Sequence, residues 1–281
     1  MNSFYSIKAL KKYLNQAKSE GKTIGFVPTM GALHKGHLSL VQAALNECDI
    51  AIASIFVNPT QFNNKEDLDK YPRTLEKDSE LLENVGCHAV FAPTVKEMYP
   101  HGLKNGFEVP QIGNITSVLE GEHRPGHFEG MMQVVSLLLD IVAPTHLYMG
   151  LKDYQQFAIV SLMVEAQGRE IIMRGMPIVR EENGLAMSSR NERLSLPCRE
   201  NAKIIYETLE KVKSQLDFHN IDELEKLGKA LIEKLDGTEV EYFEIVDAKT
   251  LTKTDINAKK NLIALTAVWY EGIRLIDNMI L

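Results

Sequence analysis

Residues 50–57, IAIASIFV, form a run of apolar and largely β-branched side chains that stops at Asn58-Pro59. A strand wetted on one side alternates apolar with polar residues, so this run predicts a central parallel strand covered on both faces. Pro59 has no N–H for a ladder and ends it. Parallel neighbours need crossover connections, usually helices, and the rest of the chain supplies them. Ile7, Leu10, Leu14 and Ala17 recur at helical spacing before Gly21. Residues 23–27 read as a buried strand, and Leu38, Val41, Leu45 and Cys48 as a helix. Further helices are expected near 75–85, 129–142 and 154–167, with strands at 89–91, 146–149 and 171–174. The pattern specifies an α/β fold, a parallel sheet with helices on both faces. Beyond residue 176 it changes to loop as far as 197. Long charged helices follow at 199–215 and 221–235, then strands at 239–246 and 262–269. The reading is two domains: residues 1–176 with the parallel sheet, and a smaller α+β domain over 177–281.

Composition excludes several classes of function. A net charge of −7 leaves no broad surface for nucleic acid or an anionic membrane. Cys48, Cys87 and Cys198 are odd in number and far apart, which suits neither a disulfide framework nor a zinc motif. The opening residues carry charges where a signal peptide needs an apolar core, and the apolar stretch at 134–143 is too short to span a bilayer. A cytoplasmic protein is expected.

Ligands of such sheets bind beyond the carboxyl ends of the strands, where the distinctive segments lie. In PTMGALHKGH, residues 28–37, His34, Gly36 and His37 stand between a strand and a helix start. A helix N-terminus attracts phosphate, Gly31 and Gly36 admit a close backbone, and two imidazoles there suit departing pyrophosphate. Isolated, an HxxH pair reads as surface loop; the glycines and the strand–loop–helix setting reverse that. No third metal ligand at sensible spacing accompanies the pair. In MSSRN, residues 187–191, Arg190 and the two hydroxyls suit a triphosphate, although the same letters make an ordinary solvated turn. In GLKDYQQ, residues 150–156, Lys152 suits phosphate, Asp153 a ribose hydroxyl, and Gln155 and Gln156 a polar substrate; a routine charged helix start fits equally. Asn58 and Gln61 lie just past the buried strand, where a small ligand or a simple turn would use them. Residues 120–130, dense in His, Arg and Gly, have the composition of a functional loop, and Pro125-Gly126 keeps His123 and His127 from forming a helical metal pair.

PTMGALHKGH, IFVNPTQF, YPRTLEKD, RPGHFEG, GLKDYQQ and GLAMSSRN occur in that order between residues 28 and 191. The set resembles the pantothenate synthetase family, within the wider HxGH nucleotidyltransferases. The resemblance implies a Rossmann-like domain for ATP and pantoate, a C-terminal lid and a homodimer. It implies condensation of (R)-pantoate with β-alanine through pantoyl-adenylate, with ATP as co-substrate and Mg2+ beside it. By motif, Met30, Gly31, Ala32, Leu33, His34, Lys35, Gly36 and His37 bind ATP, with His37 as proton donor. Gly150, Leu151, Lys152, Asp153, Val179, Met187, Ser188, Ser189 and Arg190 complete the nucleotide site. His34, His37, Lys152, Ser188, Ser189 and Arg190 form the catalytic set. Gln61 and Gln156 hold pantoate, with Gln61 also beside β-alanine; Asn58, Tyr71, Arg124 and His127 support the substrates, and Asp78 helps to hold magnesium. Leu151, Asn183, Arg193, Met131 and Met132 depart from the family pattern without removing a group assigned to chemistry.

Carboxylate activation on ATP needs positioning and charge stabilisation rather than a protein nucleophile, and no Ser-His-Asp or Cys-His arrangement is evident. A nucleotidyltransferase acting on a phosphorylated acceptor would need more cations beside Gln61 and Gln156. An aminoacyl-tRNA synthetase would need an RNA-binding domain. A nucleotide-binding regulator without turnover would not need His34, His37, Lys152 and Arg190 together.

Overall fold

A computed structural model describes residues 1–62, 65–103, 106–254 and 261–281. The chain divides into two compact units. One comprises Met1–Leu151 with Gln156–Met176, the other Lys152–Gln155 with Pro177–Leu281.

The first unit is built on six parallel strands: β1 (Asn2–Phe4), β2 (Ile24–Thr29), β3 (Ile50–Ile55), β4 (Ala89–Phe91), β5 (His146–Gly150) and β6 (Ile172–Met176). Their order is β1-β4-β3-β2-β5-β6. The apolar run supplies β3, buried from Ile50 to Ser54. It pairs in register with β2 from Ile24–Ile50 to Thr29–Ile55. Pairing stops sooner than the apolar letters do, because Asn58 caps a short 3-10 turn at Pro59–Gln61.

The Lys35–Glu47 helix packs Val41 and Ala44 with Val27, Ala51 and Ala53 on one face of the sheet. Gly25 permits that approach, since a Cβ there would lie 3.0 Å from Ala44 Cβ and 3.1 Å from Cys48 Sγ. Alternation turns Phe26 and Ile52 to the opposite face, where the His127–Val142 helix meets β2 and the Ile7–Ser19 helix. Ala143, at φ 43°, ends the longer helix before Pro144.

The second unit has helices Leu196–Asn201, Ile204–Ser214 and Ile221–Ile232 and three antiparallel strands, β7 (Thr238–Asp247), β8 (Leu262–Tyr270) and β9 (Ile273–Ile280). Its core joins Leu209, Val212, Leu224 and Ile232 to Phe243 and Ala264. Gly228 lies flat on Phe243, where a Cβ would approach Cζ to 2.5 Å.

Two strands go unread in the sequence, and one expected helix changes. The short, polar β1 carries too little pattern to be read as a strand. β9 follows a two-residue turn at Glu271 and Gly272, with φ of 50° and 70°; both positive values mark a hairpin turn, but glutamate there is a poor signal for one. The helix expected at 199–215 is two helices. The first starts early because Ser195 caps it, Oγ accepting the Cys198 N–H at 3.4 Å, with a proline in the first turn.

Candidate active site

Beyond their middles β2 and β5 part. Ile24 faces β5: its N–H donates to Thr145 Oγ1 at 2.9 Å and its carbonyl accepts from the Thr145 N–H at 3.0 Å. With a period of two, Phe26 and Pro28 face the same way. Phe26 pairs with Leu147, but Pro28 has no N–H to give, and the ladder goes no further. The chain leaves β2 for β3 on one side and later reaches β5 on the other. That reversal marks where open α/β sheets take their ligands.

Residues 30–34 run from β2 into the Lys35–Glu47 helix. Gly31 (φ 85°) and Ala32 (φ 50°) are left-handed, which alanine accepts only under restraint. The restraint is Asp78, 1% exposed, on the Leu75–Asn84 helix. Its Oδ2 accepts the Ala32 N–H at 2.9 Å and its Oδ1 the Leu33 N–H at 2.8 Å, while Thr74 Oγ1 donates to Oδ2 at 3.1 Å. A Cβ on residue 31 would stand 3.0 Å from Asp78 Oδ2, so glycine is needed for space as well as for φ. Both oxygens of Asp78 thus meet N–H or O–H donors, and the side chain anchors the loop.

His34 is the N-cap of the helix. Its Nδ1 accepts the Gly36 N–H at 3.1 Å, and His37 Nδ1 accepts the His34 N–H at 3.4 Å. The ring centroids are 4.1 Å apart. A nitrogen that accepts from the backbone carries no proton, so each neutral ring bears its hydrogen on Nε2. The first helical turn contains no acidic residue to repel an anion.

The groups past β3 divide by role. Asn58 is fully buried: Nδ2 donates to Thr60 Oγ1 at 2.9 Å and to the Gly130 carbonyl at 3.0 Å, and Oδ1 accepts from Tyr99 Oη at 2.8 Å. Burial pushes the Tyr99 phenol up, keeping it a donor. Asn58 is therefore a clasp between the Pro59–Gln61 turn and the His127–Val142 helix. His127 Nδ1 donates to the Gln61 carbonyl at 3.0 Å and steadies the backbone of Gln61. Arg124 lies 3.8 Å from Glu120 Oε2, and Tyr71 meets Phe62 edge-on at 5.5 Å. Gln156 is half-buried in the Tyr154–Ala166 helix. Gly150 ends β5, and Leu151 packs on Gly175, where a Cβ would come within 2.7 Å of its Cδ2.

The remaining nucleotide-site candidates, Lys152, Asp153, Val179, Met187, Ser188, Ser189 and Arg190, belong to the second unit. Lys152 Nζ lies 3.9 Å from Asp153 Oδ2. Residues 179–187 form a small hairpin: the Met187 N–H donates to the Val179 carbonyl at 3.0 Å and the Glu181 N–H to that of Leu185 at 2.8 Å. Ser188 Oγ then accepts the Arg190 N–H at 3.2 Å, leaving the Arg190 side chain exposed. Asn191 is structural, donating to Glu181 Oε1 at 2.6 Å and to the Ala186 carbonyl at 3.0 Å. Asn183 uses the amide hydrogen an aspartate would lack, donating to the Arg199 carbonyl at 3.0 Å. Arg180 stacks 4.0 Å over Tyr206 and grips Asp277 with Nη1–Oδ2 and Nη2–Oδ1 bonds of 2.6 and 3.0 Å. Burial pushes the Asp277 carboxyl up while Arg180 pulls it down. Arg180, Asp277, Tyr99 and Thr74 escape sequence reasoning because no local pattern distinguishes them.

Among the described residues no three His, Cys, Asp or Glu side chains gather as a metal site, and no helix is long and apolar enough to cross a membrane. What the first unit offers is a helix N-terminus, two Nε2–H donors and a backbone loop held by a buried carboxylate, an arrangement suited to a polyphosphate.

The family model described as Pantoate-beta-alanine ligase matches residues 2–280. A pantothenate synthetase of Phocaeicola vulgatus is 49% identical over 283 residues, covering 99% of each chain. One from Porphyromonas gingivalis is 44% identical, with 99% of each covered. The crystal structure of pantothenate synthetase from Thermus thermophilus superposes with a TM-score of 0.90 at 37% identity, covering 99% of each chain. A pantoate-beta-alanine ligase from Francisella tularensis, solved with beta-gamma ATP and beta-alanine, gives 0.81 at 37% identity, covering 100% of this chain and 97% of that one.

Proposed function

Because the chain belongs to the pantoate-beta-alanine ligase family, we propose that its two chemical steps are carried by the groups just described. The chain is an ATP-dependent carbon–nitrogen ligase of pantothenate biosynthesis, condensing (R)-pantoate with β-alanine to pantothenate, AMP and pyrophosphate through pantoyl-adenylate.

In the first step a pantoate carboxylate oxygen attacks the α-phosphorus, and the bond to the bridging oxygen breaks toward pyrophosphate. Catalysis is then charge stabilisation and alignment. His34 and His37 donate from Nε2 to phosphate oxygens at the amino end of the Lys35–Glu47 helix. Lys152 and Arg190 neutralise phosphate charge, and Ser188 and Ser189 donate hydroxyl hydrogens. In the second step the amine of β-alanine attacks the acyl carbon, AMP departs with the C–O electron pair, and the proton shed by the new amide nitrogen passes to solvent. Gln61 and Gln156 hold pantoate, Tyr71 and Arg124 support the substrates, and Asn58 and His127 hold the turn that carries Gln61. Residues 177–281 act as a lid, since an acyl-adenylate hydrolyses if water reaches it.

The residues do not fit a protein-held magnesium cage: the Asp78 oxygens already accept N–H and O–H donors. Magnesium is proposed to arrive on the phosphates of ATP, and no step here runs through it. A homodimer is supported by the Tyr154–Ala166 helix, which leaves Phe157 and Leu162 only half-buried, beside the edge strand β6 with Ile172 46% exposed; a monomeric mass in sedimentation would exclude it. Cytoplasmic location belongs to the same proposal, as the compartment that supplies ATP.

The observation that carries the assignment is the pair of imidazoles whose Nδ1 atoms accept backbone N–H groups at a helix start, the arrangement that makes Nε2 the donor. Its test is exchange of labelled pyrophosphate into ATP with pantoate and without β-alanine. Pantoate-dependent exchange is expected, and pantothenate with AMP on adding β-alanine. Product formation without any exchange would overturn the adenylate step.

A further inference from the structure

The strand β9 breaks its own alternation. Ile273 and Leu275 are buried with Arg274 and Ile276 partly exposed, as an edge strand requires, but then Asp277 and Asn278 are both buried, at 3% and 5% exposure. Two adjacent polar side chains in a core demand partners, and those partners are informative. Asp277 receives the fork of Arg180, which also donates to the Gly184 carbonyl at 3.0 Å. Arg180 is the first residue after Val179 and bridges Ala186, so this grip fixes the root of the hairpin leading into Met187, Ser188, Ser189 and Arg190. Asn278 Nδ2 donates to the carbonyl of Lys152 at 2.8 Å, across 126 residues of sequence. The Asn278 N–H donates to Asp277 Oδ1 at 2.8 Å and ties the two together.

We propose that Asn278, seated by Asp277, is a positioning residue for adenylation: it fixes the main chain of Lys152 relative to the hairpin carrying the serines and Arg190. The proposal rests on Lys152 serving the phosphates of ATP. Its side chain is long and flexible, so the place of its Cα sets where the ammonium can reach. The amide of Asn278 holds that Cα through the adjacent carbonyl and touches no reacting atom.

The test is a double-mutant cycle on pantoate-dependent pyrophosphate exchange, using the full chain as wild type, Asn278→Ala, Lys152→Ala and both together; labelled exchange is sensitive enough to read the slow members. Loss of one buried hydrogen bond predicts roughly a tenfold fall in exchange rate for Asn278→Ala, and a fall of less than about twofold when Lys152 is already alanine. Urea unfolding run alongside reports the fold. If the alanine variant fails to fold, Asn278→Leu, which keeps the volume and removes the donor, takes its place in the cycle. Equal losses in both backgrounds would overturn the proposal, since a merely structural residue acts regardless of Lys152. Unchanged exchange in Lys152→Ala would instead overturn the role of Lys152 itself.

Discussion

Replacing Asp78 by asparagine separates loop anchoring from metal binding. The carboxylate accepts two backbone N–H bonds, from Ala32 and Leu33, at 2.9 and 2.8 Å in a buried setting. A hydrogen bond to a buried charged group is worth about 1.5–3 kcal/mol, so the pair contributes roughly 3–6 kcal/mol to the geometry of residues 30–34. Against it stands Ala32 at φ 50°, a conformation that costs an L-residue about 1–2 kcal/mol. Asparagine keeps the volume and one acceptor but turns an NH2 toward one of the two N–H groups. The loop then loses at least one strong bond and meets a donor–donor contact, about 2–4 kcal/mol in all. Part of this appears as a lower urea midpoint. The rest appears as a misplaced loop, with kcat/KM for ATP falling on the order of 10- to 100-fold, since each 1.4 kcal/mol is a factor of ten. Magnesium titrations at fixed ATP complete the assay: a loop anchor leaves the activating concentration of Mg2+ unchanged. A raised Mg2+ requirement, with kcat/KM restored at high magnesium, would refute this reasoning and make Asp78 a metal ligand. Unchanged kcat/KM would refute the importance of the anchored loop.

His37→Ala removes one Nε2–H donor at the phosphates and is expected to lower turnover roughly 10²–10³-fold with the urea midpoint little moved; intact turnover would remove it from the catalytic set. Gly130→Ala places a Cβ 2.1 Å from the Thr60 carbonyl oxygen, which must push the Pro59–Gln61 turn off its helix; a loss of about 1–3 kcal/mol, the range of overpacked cores, is expected in denaturant unfolding together with a raised KM for pantoate, and wild-type values for both would contradict the packing. Glu47 is held down to about 2 from 4.5, chiefly by its bonds to Arg174 and then Tyr148. A depressed carboxyl stabilises the fold above its ordinary value and loses that contribution as pH falls toward 2. The urea-midpoint advantage of wild type over Glu47→Gln should therefore be full at neutral pH and shrink below about 4.5; an advantage independent of pH would show that the charge is not its source.

What could be read from the letters was local. The apolar run at 50–57 becomes β3 because burial on both faces needs only a count of side chains. The helix spacing of Leu10, Leu14 and Ala17 holds for the same reason, as all three are buried. The HxGH segment was legible as a strand–loop–helix passage, although its loop is shorter than the motif: Pro28 and Thr29 still belong to β2, and Lys35 already begins the helix. What stayed hidden depends on partners remote in sequence. Asn58 past a buried strand reads alike as a ligand group or a clasp, and only its bonds to Tyr99 and Gly130 decide. Asp78 offers a carboxylate to whatever faces it, and no motif says that the Ala32 and Leu33 amides do. Asp277 and Asn278 sit in a strand whose hairpin turn carries a glutamate, so neither the strand nor its two partners had a local sign.

The second unit borrows Lys152–Gln155 from the middle of the first unit's sequence and resumes only at Pro177. A gene fragment cut cleanly at residue 177 would encode a fold lacking a stretch of its own wall: the Lys152 carbonyl that Asn278 holds, and the Tyr154 hydroxyl that donates to the Ala248 carbonyl at 3.0 Å. Recombination between relatives meets the same obstacle. A crossover near 177 joins one parent's four-residue insert to the other parent's sheet, so chimaeras should tolerate that junction where the first parent supplies Tyr154 and the second Asn278, since both bonds end on main-chain carbonyls. The second unit is thus one body in space written as two stretches of sequence, and each stretch is needed to close its wall.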